Sequence, residues 1–117
     1  MFRTTLPLTC AALCCLAACA KSPESIAPAY TSEIPYDSWT CKQLSDETIR
    51  INEALAAASV QQQNARTNDT VGVILIGLPV SSLSGDNIAP EIAQYKGQID
   101  AIHRAMLHNN CGTAPAS

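Results

Sequence analysis

The chain has 117 residues, 47% of them hydrophobic and 15% charged, with a formal net charge of -3. That length holds one small domain at most, and the acidic balance leaves no basic surface for phosphate contacts, which excludes nucleic-acid binding. The aromatic residues (Phe2, Tyr30, Tyr36, Trp39 and Tyr95) are too few for a stacking platform or a large aromatic pocket.

Residues 1–3 carry one positive charge, at Arg3, and residues 6–18 are uncharged and mostly apolar. That run is too short for a bilayer-spanning helix, which needs about 20 residues, and fits the apolar region of a secretion signal. Of the six cysteines, Cys10, Cys14, Cys15 and Cys19 fall within the first 19 residues. The last four of these residues, Leu16-Ala17-Ala18-Cys19, resemble the lipobox of bacterial lipoproteins. The resemblance implies a signal peptide over 1–18, a diacylglyceryl group on the Cys19 thiol, cleavage before Cys19, and acylation, as by palmitate, of its new amino group. It implies a chain anchored in the bilayer through Cys19 and facing the periplasm. Ala20 stands where Asp would mark inner-membrane retention, so the outer membrane is favoured over the inner. The other reading is a conventional signal cleaved after an alanine, with Cys19 an ordinary residue.

Pro23, Pro28 and Pro35 lie among Ser, Ala, Glu and Lys without apolar periodicity, so 19–38 reads as the lipidated cysteine and a flexible tether. From Thr40 the pattern changes. Cys41, Leu44, Thr48, Ile51, Leu55, Ala58 and Gln62 recur at three- and four-residue steps, the seam of an amphipathic helix. Thr40 and Gln43 form a capping-box pattern, with Trp39 placed to staple onto Leu44. Asp46 and Arg50 are spaced as an i,i+4 pair. The seam weakens through 61–64, and Asn68-Asp69 is a natural stop.

A second seam runs Ile88, Ile92, Tyr95, Ile99, Ile102, Met106, beside a stripe of small residues at Ala89, Ala93, Gly97, Ala101 and Ala105. The stripe permits close approach of another backbone, in this chain or a partner. Asn87 or Asp86 is placed to cap this helix, Pro90 suits its first turn and Gly112 its end. Two such helices most economically form an antiparallel hairpin, so the fold class expected is all-α. Cys41 and Cys111 then become neighbours in an oxidising compartment. They are expected to bridge, with intermolecular pairing or two free thiols as the rivals. The domain is placed at 39–112, with a disordered tail over 113–117.

The apolar run over 71–80 cannot span a bilayer. It either covers the hairpin or extends the first helix, or it stands exposed. Exposure would make Val73, Ile74, Leu75, Ile76 and Leu78 a contact for a partner or a membrane. His103 and His108 lie about 140° apart on a helix, a poor pair for one metal even with Cys111 nearby. No catalytic residues, metal or cofactor are implied, and no phosphate loop, dinucleotide fingerprint or metalloprotease motif occurs. The stretch from Pro90 to Ala101, PEIAQYKGQIDA, resembles a segment of small proteobacterial lipoproteins that also place one Cys before the first helix and a final Cys after the second. That likeness supports the hairpin and brings no activity. The function expected is a non-enzymatic envelope lipoprotein that meets an envelope protein partner. The alternative is a membrane-active or cell-wall-adjacent module using 71–80 against the bilayer.

Overall fold

The computed structural model describes residues 20–78, 81 and 84–112. Cys19, the expected signal segment 1–18, Pro79, Val80 and the tail 113–117 lie outside the described residues. Two helices pack side by side: α1 spans Cys41–Ile76, 36 residues, and α2 spans Ala89–His108, 20 residues. No strand occurs among the described residues. The chain thus forms the all-α hairpin expected of it.

The start of α1 follows directly from its sequence. Gln43 N donates to Thr40 Oγ1 at 3.1 Å, and Thr40 N donates to Gln43 Oε1 at 2.9 Å, so two otherwise orphaned amides are satisfied reciprocally. Asp46 does not reach Arg50. Lys42 takes Asp46 at 2.5 Å, and Arg50 turns back to Glu47. Such exposed pairs contribute only a few tenths of a kcal/mol, so the exchange of partners is nearly neutral. At α2 the N-cap is Ile88, with Pro90 in the first turn and no side-chain cap on that residue. Asn87 Oδ1 instead accepts from Ala89 N at 3.2 Å, while Asp86 is occupied by Ser84. Asn110, with φ of 54°, enters the left-handed region just after α2, two residues before Gly112.

The core has two parts. Leu44 and Ile51 of α1 meet Ile99, Ile102, Ala105 and Met106 of α2, with Tyr36, Trp39 and Cys111 closing the end. Further along, Ala58 and Ile92 pack with Ile26, which comes from the segment before α1. Cys41 and Cys111 form a disulfide with their Cα atoms 5.3 Å apart. The bridge makes the two helices flush at one end. At 1.5 Å per residue α1 is about 54 Å long and α2 about 30 Å, so α1 outruns α2 by about 24 Å at the other end.

Residues 20–38 are not a flexible tether. They form a strap laid along α2, with short 3-10 turns at Pro23–Ser25 and Ile34–Tyr36. Ala29 N donates to Ala93 O at 2.8 Å, which brings the strap backbone directly over the small-residue stripe. What approaches Ala93 and Gly97 is therefore this strap. Lys96 Nζ donates to Pro23 O and Ile26 O at 2.7 and 2.8 Å, and Arg104 Nη2 donates to Thr31 O at 2.6 Å. Asn109 Nδ2 reaches Asp37 O and Trp39 O. These bonds replace the water that would otherwise solvate a Pro-rich backbone, and Ile26 adds apolar burial of roughly 1.5–3 kcal/mol.

Glu33 completes the strap contact by accepting from Arg104 Nε at 3.1 Å. Its own backbone amide, and then the Arg104 guanidinium, hold its carboxyl below the usual value of 4.5. A lowered folded value means the contact is intact above 4.5 and is lost as pH falls through the folded value. A carbon-detected NMR titration of Glu33 is expected to show a midpoint below 4.5 that moves upward in Arg104→Met. An unshifted midpoint in the unsubstituted protein would contradict the pairing.

Candidate functional site

Beyond Ala58 the inward face of α1 turns polar while keeping its helical step: Gln62, Ala65, Asp69 and Gly72 are all buried. Gln62 Nε2 donates to Lys21 O and Asn87 Oδ1, each at 2.9 Å, and Gln62 Oε1 accepts from Ile88 N at 2.8 Å. One amide thus joins the strap, the interhelical connection and the start of α2. Asp69 does comparable work one helical stretch further on. Its carboxylate accepts from Ser81 N at 2.6 Å and from Ala20 N at 2.8 Å, and Ser81 Oγ lies 2.5 Å away. Ser81 Oγ also lies 2.6 Å from Ala65 O. Backbone amides that would be costly to bury alone are satisfied here by the oxygens of one side-chain carboxyl.

These partners explain why Asn68-Asp69 does not end the helix. Asp69 points inward to fixed donors, while Thr67 and Thr70 donate to the carbonyls of Gln63 and Arg66. Nothing breaks the backbone until Gly77, whose φ of 74° closes α1 with its N–H on Val73 O at 3.1 Å. The apolar run over 71–76 therefore extends the first helix.

It extends the helix into the open. Ile74 is 76% exposed, Leu75 74%, Ile76 65%, Leu78 51%, Val71 47% and Val73 37%. Successive helical residues turn by about 100°, so Val71, Val73, Ile74, Leu75 and Ile76 point to nearly every side of the helix axis. Only Gly72 in this turn faces inward and is buried. Beside the helix end lies an open groove of about 360 Å³, lined by Val71, Gly72, Leu75 and Ile76 together with Asn68, Ser81 and Asp86. Other exposed apolar residues, such as Ile49, Val60 and Leu107, stand singly along the helices, as on ordinary protein surfaces.

The residues singled out for chemistry are not brought together. Cys111 is bridged, which removes its thiolate. His108 Nδ1 lies 3.8 Å from Asp37 Oδ1, and His103 Nε2 is buried with no hydrogen-bond partner among the described residues. No group of three or more His, Cys, Asp or Glu among the described residues is placed to hold a metal ion. Gln62, the last residue of the seam read from the sequence, is buried as that seam implies, while sequence reasoning missed Asp69, which it took for a helix stop because its polarity hid it from a hydropathy pattern. Extending the three-four count past Gln62 passes through Ala65, Asp69 and Gly72.

Among the described residues no helix is long and apolar enough to cross a membrane. No family model, curated protein or solved structure matches the chain. The fold is thus defined by its own parts: a disulfide-closed helical hairpin with an amino-terminal strap and one overhanging apolar end.

Proposed function

We propose that this chain is a lipid-anchored lipoprotein of the bacterial envelope, acylated on Cys19, facing the periplasm and favouring the outer membrane, and that it serves as a non-enzymatic interaction or structural module. The observation that carries this reading is the burial of Ala20. That residue is 5% exposed and held by Asp69, so the residue bonded to Cys19 sits towards the end where α1 is bare and apolar. A lipid attached there and the exposed end of α1 share one pole of the molecule. The buried polar side chains Gln62, Asp69 and Ser81 are engaged with backbone groups of neighbouring segments, which supports a structural use over a catalytic one.

The test is metabolic labelling in a bacterial host. The exported protein is expected to incorporate labelled palmitate and to partition into detergent, and Cys19→Ser to do neither. Absence of label from the unsubstituted protein would overturn the proposal.

A further inference from the structure

We infer that the apolar stretch from Val71 to Leu78, the last turns of α1 and the two residues after it, is a second membrane contact, immersed in the interfacial layer of the bilayer, and that the hairpin stands on this end with its disulfide pole away from the lipid. The side of the bilayer it meets rests on the acylation proposed for Cys19; the contact itself rests on the exposed end.

The distribution of side chains selects the partner. Ile74 and Ile76 are two residues apart, so they point about 200° apart and face opposite sides of the helix. Both are mostly exposed. A protein groove that receives a helix covers one stripe, read at three- and four-residue steps, and would leave one of these two in water. Hydrocarbon surrounds a helix end on every side.

The chemistry agrees. Residues 70–85 contain no Asp, Glu, Lys or Arg, and the acidic residue at the groove beside them, Asp86, accepts from Ser84 Oγ at 2.8 Å, so the helix end itself presents apolar side chains without a charge. Six helical residues over 71–76 rise about 9 Å. That matches the roughly 5–10 Å to which interfacial helices are immersed and falls far short of a span. Headgroups and water at that depth supply donors for the last carbonyls of α1, and Gly77 N–H already serves one of them.

The geometry also brings the anchor to the same level. Asp69, which holds Ala20 N at 2.8 Å, lies two residues before Val71. Adjacent Cα atoms are about 3.8 Å apart, so an acyl group on Cys19 leaves the fold beside the apolar end rather than from a distant point.

The experiment uses the exported, processed protein reconstituted into phosphatidylcholine vesicles with brominated acyl chains. Its mass, measured first, reports acylation separately. Ile74→Trp and Ile76→Trp each place an indole at an exposed position, so the fold is undisturbed. After subtraction of the Trp39 emission of the unsubstituted protein, both are expected to show blue-shifted emission and about two-fold or greater quenching by the brominated lipid. Emission from Trp39, about 54 Å along α1, is expected to be unaffected in the unsubstituted protein. Raising salt or adding phosphatidylglycerol is expected to change neither result, since no basic residue takes part. Quenching of only one variant, as a one-sided protein groove or a second copy of the chain would give, overturns the inference. So does quenching of neither in a protein whose mass includes lipid. Should the mass lack lipid, the anchor proposal fails alone, and flotation of the protein with the same vesicles decides this one: flotation lost in Ile74→Asp supports it, and no flotation overturns it.

Discussion

Replacing Cys41 and Cys111 together with serine is expected to lower the free energy of unfolding by about 4 kcal/mol, because the bridge closes a loop of roughly 70 residues in the unfolded chain. The effect is large for a domain of this kind. One helix pair and a strap supply a thin core, built mainly from Leu44, Ile51, Ile99, Ile102 and Met106 at the bridged end. A chain of this size ordinarily needs a staple to remain folded. The measurement is urea denaturation followed by circular dichroism, with and without reductant. With a slope of about 1–3 kcal/mol per molar urea, the midpoint should fall by about 1.3–4 M. Reducing the unsubstituted protein should give the same midpoint as the double variant. A change below about 1 kcal/mol would mean that the loop-entropy account does not apply to this hairpin.

Gly97→Ala is expected to destabilise the protein by about 2–3 kcal/mol, although alanine is the better helix former by about 1 kcal/mol. The reason is the strap. A Cβ at Gly97 would stand 1.9 Å from Ala29 O and 2.7 Å from Thr31 Oγ1. Thr31 can rotate its side chain, but Ala29 O is backbone and can yield only if the strap lifts. Lifting it breaks the Ala29 N–H bond to Ala93 O and draws Lys96 and Arg104 away from their carbonyls. Hydrogen exchange should therefore show the Ala29 amide losing protection while amides in the first half of α1 keep theirs. A neutral or stabilising Gly97→Ala would show that the strap is not packed on α2 as described.

Gly97 also marks the boundary of what could be read from residues alone. Apolar periodicity finds surfaces where side chains meet side chains, and it found both seams, the antiparallel pairing and the two cysteines that pairing brings together. The capping box at Thr40 and Gln43 was legible for a similar reason, since both bonds are local. The strap was not, because its bonds are made by backbone groups that every residue carries and by Lys96 and Arg104, whose charges suggest solvent. Its larger apolar footholds, Ile26 and Tyr36, stand ten residues apart and make no period.

The length of α1 was hidden in the same manner. Its inward face changes from Ala58 to Gln62, Ala65, Asp69 and Gly72, so the hydropathy signal fades while the geometry continues. Asp69 looked like a terminator because Asp favours turns when its carboxylate bonds its own backbone. Here the carboxylate bonds Ala20 and Ser81 instead. The run over 71–80 was recognisable as apolar, yet whether it would be covered depended on how far α2 reaches back, which is a matter of relative lengths.

The clasp between Ala20 and Asp69 has a mechanical meaning. Were residues 20–38 free, they would give the head about 60 Å of slack, at nearly 3.5 Å per extended residue. With that slack folded away, a pull on the lipid proposed at Cys19 would load the fold at once, and the molecule would behave as a short rigid post. On that proposal its working radius would be set by the length of α1, and anything it touched would come within the height of one helix above the leaflet.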